Sequence, residues 1–457
     1  EYLAICNINW EDCRYGKTKG MNLAELERMI WKMGMDLARK LLESRLEDDP
    51  RGKEQAICPT CNKGMRIQEA QQRRVLKTVV GEVEYKRAYG VCDRCGQTGA
   101  ALDEALGIPR RGPSAAAREK ICHVAVVGRS FDDASELLQV HGGIRSSGKH
   151  VRTLAEAEGR RLVEQRRAKV QAFRDGKIDS ASNEAPALLV VVADGGRVQT
   201  RQETKDERWK EDKIGVVYDA VVCPEDSGID TKYQGAKAQT KSYVASMESW
   251  EEMGWMLRVE AEHRGYCRAK KMLFLGDGAR SVREVKDMHF SDTTFILDWF
   301  HAVEHLSNSA KAAFGEGSMR ARDWYEQHKQ KLWDGDVDTI IDELQRLSIV
   351  IGKPTEDDTV TSPRRILHRD ANSYFPNNKD AMSYPAFRAK GWPIGSGVVE
   401  SAVKQFAIRL KGSEKFWNIS HTGAEEMLAL CALYHCEDGR WDEYWRLRAQ
   451  PTGKQSA

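Results

Sequence analysis

The sequence predicts a multidomain α/β protein with a separate, metal-stabilised module ahead of its main domain. Apolar runs at 188–192, 272–275 and 294–297 have the length and branched composition of buried strands, and helix-like segments follow the second and third. Two Cys-x-x-Cys pairs bracket a β-rich stretch upstream of them. A chain of 457 residues with 41% hydrophobic content is long and apolar enough for several packed cores.

The cysteine pairs are Cys58/Cys61 and Cys92/Cys95. Each places two thiolates on one tight turn, and four thiolates satisfy the tetrahedral preference of Zn²⁺. Four protein ligands leave no position for water, so the site reads as structural rather than catalytic. Between the pairs, Val75 to Val80 and Val83 to Tyr89 flank Gly81 and Glu82, which predicts a hairpin turning at those two residues. A zinc-ribbon-like module over 51–110 follows, with the metal supplying folding energy on the order of 10 kcal/mol. The remaining cysteines, Cys6, Cys13, Cys122, Cys223, Cys267, Cys431 and Cys436, show no such pairing. They read as reduced, mostly buried small hydrophobes in a reducing compartment.

Residues 1–50 read as an N-terminal helical segment and 111–180 as a helical, candidate DNA-binding region. In the latter, Ser114 to Leu138 is helical with Val124, Val127, Phe131 and Leu137 as buried positions, and Thr153 to Phe173 continues the helical character. The 71 basic and 69 acidic residues nearly cancel, so net charge does not mark a nucleic-acid binder. Local charge is different: Arg160, Arg161, Arg166, Arg167, Lys169, Arg174 and Lys177 face only Glu164 and Asp175. Such a stretch either neutralises phosphates or is a solvated helix face. The polar run Asp175 to Ala185 is a linker, and a new domain starts at 186. Residues 437–457 form a C-terminal tail. There is no apolar run of membrane-spanning length and no secretory pattern, which predicts a soluble, intracellular protein without a membrane partner.

The main domain places acids at strand ends. The strand Leu188 to Val192 leads to Asp194, followed by Gly195 and Gly196; Arg197 to Thr200 and Lys213 to Val222 supply the next strands of an antiparallel meander. Met272 to Leu275 ends in Gly276-Asp277-Gly278, and Thr294 to Leu297 ends in Asp298. Neighbouring strands can bring Asp194 and Asp277 together, where bound cations relieve their repulsion. A third acid, Glu400, sits on an amphipathic helix beginning near Val398, with Lys404 and Lys411 close to its face and suited to phosphate. Hard oxygen ligands favour Mg²⁺ or Mn²⁺. A competing motif, His301-Ala302-Val303-Glu304-His305, matches the His-x-x-Glu-His of inverted zinc peptidases, but it leaves the acids and cysteines unexplained.

The motifs CPTC and CDRC with the intervening TVVGEVEYKRAYGVC, then VVVADGGRV, LFLGDGA, LDWFHAVEHL, PIGSGVVESAVKQ, GAEEMLALCAL and WDEYW occur in order along most of the chain. In that order they resemble the Kra-type bacterial insertion-sequence transposases, distant relatives of the Mutator-like transposases. The resemblance implies a ribonuclease-H-like catalytic domain, built from 186–305 and 390–436, with a mostly helical insertion at 306–389. It implies a catalytic Asp194, Asp277 and Glu400 holding two Mg²⁺ or Mn²⁺ ions, and an accessory Asp-x-x-His matched by Asp298 and His301. The implied activity is cleavage of double-stranded DNA at element ends and strand transfer into target DNA. A homodimer or larger assembly in the bacterial cytoplasm, associated with the nucleoid, goes with it. Asp194 is expected to bridge both ions; His301 either orients a phosphate or caps a helix. Arg160, Arg161, Arg166, Arg167, Lys404 and Lys411 are the expected DNA contacts, with base stacking or core packing open for Trp392, Phe416 and Trp417. A domesticated transposase that binds DNA through its zinc-containing architecture without catalysis is the alternative.

Overall fold

The computed structural model describes residues 15–177, 185–202, 204–222, 233 and 235–451. Its contacts divide the chain into two units, Glu1–Glu158 with Gly439–Ala457, and Gly159–Asp438. Cys6, Cys13 and Cys223, and most of the polar linker, lie outside the described residues.

In the first unit, the helix Leu23–Glu47 starts at a capping box in which Asn22 and Glu25 each bond the other's backbone N–H. β1 (Arg66–Thr78) and β2 (Gly81–Val91) form the antiparallel hairpin, and β3 (Thr98–Gly99) adds to β2. Thr78 pairs with Gly81, so the turn is Val79-Val80 and not Gly81-Glu82. Gly81 tolerates the φ of +106° that this register imposes, and the Thr78 hydroxyl donates to its carbonyl at 2.8 Å. Leu46, Leu76, Val83, Tyr85 and Leu102 pack as the hairpin's core.

Ser114 and Ser130 cap the helices Ala115–Val127 and Phe131–Gly142. Their buried face is Ala117, Ile121, Cys122, Ala125, Val126, Ala134 and Leu138, whereas Val127 is exposed and Val124, Phe131 and Leu137 are only half-buried. Small residues permit the close packing here, and a reading that weights large side chains misplaces the face. Glu158 is buried and accepts bonds from Arg118 at 2.8 Å, Tyr444 at 2.7 Å and Arg448 at 3.1 Å, which ties the helix Arg440–Arg448 to this unit.

The second unit is built on a mixed sheet. β4 (Leu189–Thr200), β5 (Trp209–Val222) and β6 (Ala236–Ser246) run antiparallel in turn; β7 (Met272–Gly276) lies parallel on the other side of β4, and β8 (Thr294–Leu297) parallel beyond it. The order is β6-β5-β4-β7-β8, with β9 (Phe416–Trp417) pairing the far end of β4. Two sequence expectations change. Arg197 to Thr200 is not a second strand: β4 continues through Asp194, Gly195 and Gly196 because β5 pairs with it along that length. Asp194 therefore stands within a strand, just past the point where β7 stops pairing. The strand β6 has no counterpart in the expected meander.

The helix Trp250–His263 covers β5 and β6, with Gly215 leaving room for Leu257 and Met253. The helix Gly397–Leu410 packs on β4 and β5, and Thr422–His435 on β6. Between β8 and residue 397 the chain is mostly helical, including Trp299–Phe314, Met319–Trp333 and Val337–Ile351.

Within this unit, the helix Gly148–Arg174 meets Thr422–His435 at Gly159, where a Cβ would lie 2.1 Å from the carbonyl oxygen of Glu426. Alanine would gain about 1 kcal/mol in helix propensity, but the clash of its methyl with the Glu426 carbonyl prevails. Gly159→Ala is expected to destabilise the protein by about 1–3 kcal/mol, read as a lower urea midpoint.

Candidate active site

Strand register lines up three acids. The last β4/β7 pair is Val192↔Leu275, and Asp194 and Asp277 each lie two residues further on. The last β7/β8 pair is Gly276↔Leu297, and Asp277 and Asp298 each lie one residue further. Adjacent strands are about 4.8 Å apart, so the acids stand in a row at the carboxyl ends of β7 and β8 and the matching level of β4.

Local bonds hold each one. Asp194 accepts from the N–H of Gly195 at 2.7 Å, and Asp277 from that of Ala279 at 2.9 Å. Gly278 turns the chain at φ +82°, where a Cβ would meet Leu297 at 2.6 Å. From the helical segment, the Tyr374 hydroxyl donates to the carbonyl of Asp277 and the Tyr384 hydroxyl to that of Leu297, both at 3.1 Å. Burial, and next the nearby Asp277 carboxylate, push the Asp194 carboxyl up to about 6, against the opposing influence of Gly195, His301 and Lys411.

Asp298 is fully buried. One oxygen caps the helix Trp299–Phe314 by accepting from the His301 N–H at 2.8 Å, and the other accepts from the Ser396 N–H. The Trp299 N–H reaches the Ile394 carbonyl at 2.8 Å. These bonds dock the turn that begins the Glu400 helix against the end of β8. In consequence, ligand atoms of Asp298, His301 and Glu400 lie within 4.8 Å of one another.

The expected triad is therefore brought together unevenly. Asp194 and Asp277 are electrostatic neighbours, and Glu400 groups with Asp298 and His301 at the β8 side. Among the described residues, Asp194, Asp277 and Glu400 do not form a compact three-ligand set. His301 is common to both sides, acting electrostatically on Asp194 while standing within ligand distance of Glu400. The His-x-x-Glu-His motif does not converge in this way: His305 Nδ1 lies 2.8 Å from the buried Asp370, and its ring stacks on Tyr374 at 3.5 Å.

The expected DNA contacts have varied settings. Lys404 is exposed, 3.9 Å from Glu400. Lys411 pairs at 3.2 Å with Asp212, a wholly buried acid on β5 that sequence reasoning missed because nothing marks it until the strand register does. Arg166 is largely enclosed, bonded to Glu425 and to the Ala245 carbonyl; Arg160 pairs with Glu426 and Arg167 with Glu248, and Arg161 is exposed. Trp417 is core, its indole N–H donating to Leu410 at 3.0 Å. Trp392 stacks on Phe387, and Phe416 is partly exposed with Arg208 over its ring.

In the first unit, the Cys58, Cys61, Cys92 and Cys95 sulfurs all lie within 4.8 Å of one another. Each pair sits on the same kind of turn: Cys58 N–H to Lys63 and Asn62 N–H back to Cys58, and likewise Cys92 to Gln97 and Gly96 to Cys92, at 2.7–2.8 Å. Asn62 and Gly96 take the positive φ that closes these turns. The cluster can hold a structural Zn²⁺. Elsewhere Cys122, Cys431 and Cys436 are buried, but Cys267 is exposed.

The chain belongs to the uncharacterised protein family UPF0236. The family profile matches residues 17–446, so UPF0236 membership takes in both the cysteine cluster and the acid row. No curated protein matches the chain significantly.

Two outcomes follow for this UPF0236 protein. Because Asp194 keeps its proton to about pH 6 when folded and loses it near 4 when unfolded, metal-free stability falls as pH rises through that interval. Asp194→Asn should flatten that slope in melting curves recorded across it. Cys58→Ser should reduce bound zinc, measured by atomic emission, from one equivalent toward none and lower the melting temperature; unchanged zinc content would exclude the structural metal.

Proposed function

We propose that the protein is a DNA transposase of the Asp-Asp-Glu type, and that the sheet in the order β6-β5-β4-β7-β8 is ribonuclease-H-like with a helical insertion between β8 and the Glu400 helix. The observation that carries the reading is the row of acids Asp194, Asp277 and Asp298 on adjacent strands, with Glu400 and His301 beside it. The ordered sequence motifs of the Kra-type transposases support the same reading.

The donor set fits hard divalent cations: burial first, and then the neighbouring Asp277 carboxylate, push the Asp194 carboxyl up to about 6, a cost that a bound cation would relieve. Asp194, Asp277 and Glu400 would hold Mg²⁺ or Mn²⁺, and the nitrogen of His301 adds a preference for Mn²⁺. Bound cations would supply Lewis-acid charge to the attacking and leaving oxygens. Asp298, with both oxygens engaged by backbone N–H groups, positions Glu400 and His301.

In the first reaction a water oxygen bonds to phosphorus as the P–O3′ bond breaks, leaving a 5′-phosphate and a 3′-hydroxyl, with the water's proton balancing the one taken by O3′. In the second, that 3′-hydroxyl oxygen bonds to a phosphorus of target DNA, whose own P–O3′ bond breaks. Holding two DNA ends for this exchange calls for a homodimer or larger assembly. The exposed Lys404, 3.9 Å from Glu400, would meet a phosphate, and the cysteine cluster would serve as a structural zinc module.

Purified protein incubated with DNA carrying the element's ends and Mg²⁺ or Mn²⁺ should nick at those ends. Asp194→Ala, Asp277→Ala and Glu400→Ala should each slow nicking by on the order of a thousand-fold while still binding DNA, since each removes several kcal/mol of charge stabilisation. Binding by the unaltered protein without nicking would leave the DNA-binding alternative in its place.

A further inference from the structure

The acid row has a cationic neighbour held by a residue with no role in the reading above. Side chains alternate faces along a strand, so Asp194 and position 196 of β4 share one face. Gly196 pairs with Asp212 of β5, which puts Asp212 on that face too. The Asp212 side chain is fully buried, and the Lys411 ammonium lies 3.2 Å from its Oδ2. Gly196 makes the approach possible: a Cβ there would stand 2.2 Å from Lys411 Nζ and 2.9 Å from Asp212 Oδ1.

Lys411 directly follows the helix Gly397–Leu410, so the element that carries Glu400 in its first turn delivers an ammonium at its other end. Positions two apart on a strand are about 7 Å apart, which sets that ammonium beside Asp194, whose carboxylate feels its charge. The neighbouring Lys213 points to the opposite face, where it pairs with Glu211 at 3.1 Å and lies over Trp250.

A buried ion pair adds little stability compared with an apolar pair of the same volume. It does fix where a charge sits. Lys411 keeps 22% of its side chain accessible, and an ammonium has three N–H donors, so the ion pair with Asp212 leaves donors for an anion. Asp212 lies too deep to reach a ligand itself.

Resting on the transposase reading, we propose that Lys411 donates to a non-bridging oxygen of the scissile DNA phosphate beside Asp194, and that Asp212 is the positioning residue holding its ammonium there. Lys411 offsets negative charge on the phosphate as the P–O3′ bond breaks and transfers no proton.

The test is a double-mutant cycle on the full chain with Asp212→Asn, Lys411→Met and the pair combined. Melting is compared with single-turnover nicking of plasmid DNA carrying the element's ends in Mn²⁺. Lys411→Met alone should melt early, because it strands a buried carboxylate; the combined variant should recover the melting temperature. Nicking should stay about ten- to a hundred-fold slow in the combined variant, the loss expected for one hydrogen bond to a charged group. Asp212→Asn alone should lower the single-turnover rate at saturating protein with the half-saturating concentration unchanged. A combined variant that nicks like the unaltered protein overturns the proposal while leaving the transposase reading intact. Unaltered protein that binds the DNA and does not nick it defeats that reading, and the proposal with it.

Discussion

The buried carboxylate of Asp298 bonds two distant points of the chain, the His301 N–H at the start of the helix after β8 and the Ser396 N–H in the turn before the Glu400 helix. Both partners are backbone N–H groups at helix starts, which carry partial positive charge and lack intrahelical acceptors. One buried acid thus satisfies two groups that would otherwise be costly to bury. It also closes the loop of a long helical segment, so the second unit can carry that segment between β8 and residue 397 without losing the position of Glu400. Tyr374 and Tyr384 reinforce the closure by bonding carbonyls at the ends of β7 and β8.

A parallel register is what makes the acids neighbours. Two-residue and one-residue offsets past the last pairs of β4/β7 and β7/β8 put Asp194, Asp277 and Asp298 side by side. The sheet concentrates acids there, and burial of Asp194, followed by the charge of the neighbouring Asp277, pushes its carboxyl up to about 6. Each acid also has a different environment: Asp194 beside a lysine held from below, Asp277 at a glycine turn, Asp298 enclosed by backbone donors. Alike in residue type, the acids differ in what remains free to meet a ligand.

Much of this was legible in the residues themselves. The Cys-x-x-Cys spacing announces a four-sulfur cluster, and the apolar runs before Asp277 and Asp298 announce strand ends, because both signals are local and depend on a few adjacent positions. The hairpin turn was misplaced by two residues, since Gly81 marks a positive φ without saying which side of it the turn lies. Gly195 and Gly196 read as an interruption of β4 but are held extended by β5. The basic run at 160–177 reads either as a phosphate-binding stretch or as a solvated helix face, and nothing local shows that Arg166 is enclosed by Glu425 and the Ala245 carbonyl, partners hundreds or tens of residues away. Asp212 carries no local mark at all.

By itself, the sequence determined the residue types and the spacing that place Asp277 and Asp298 at strand ends and thiolates on paired turns, since these follow from backbone geometry within a few residues. The tertiary structure alone decided which acids face one another, that Glu400 groups with Asp298 and His301, and that Lys411 reaches a buried Asp212 over Gly196. Those relations arise from strand register and from contacts between segments far apart in the chain, where one residue's neighbours are chosen by the packing of the whole unit.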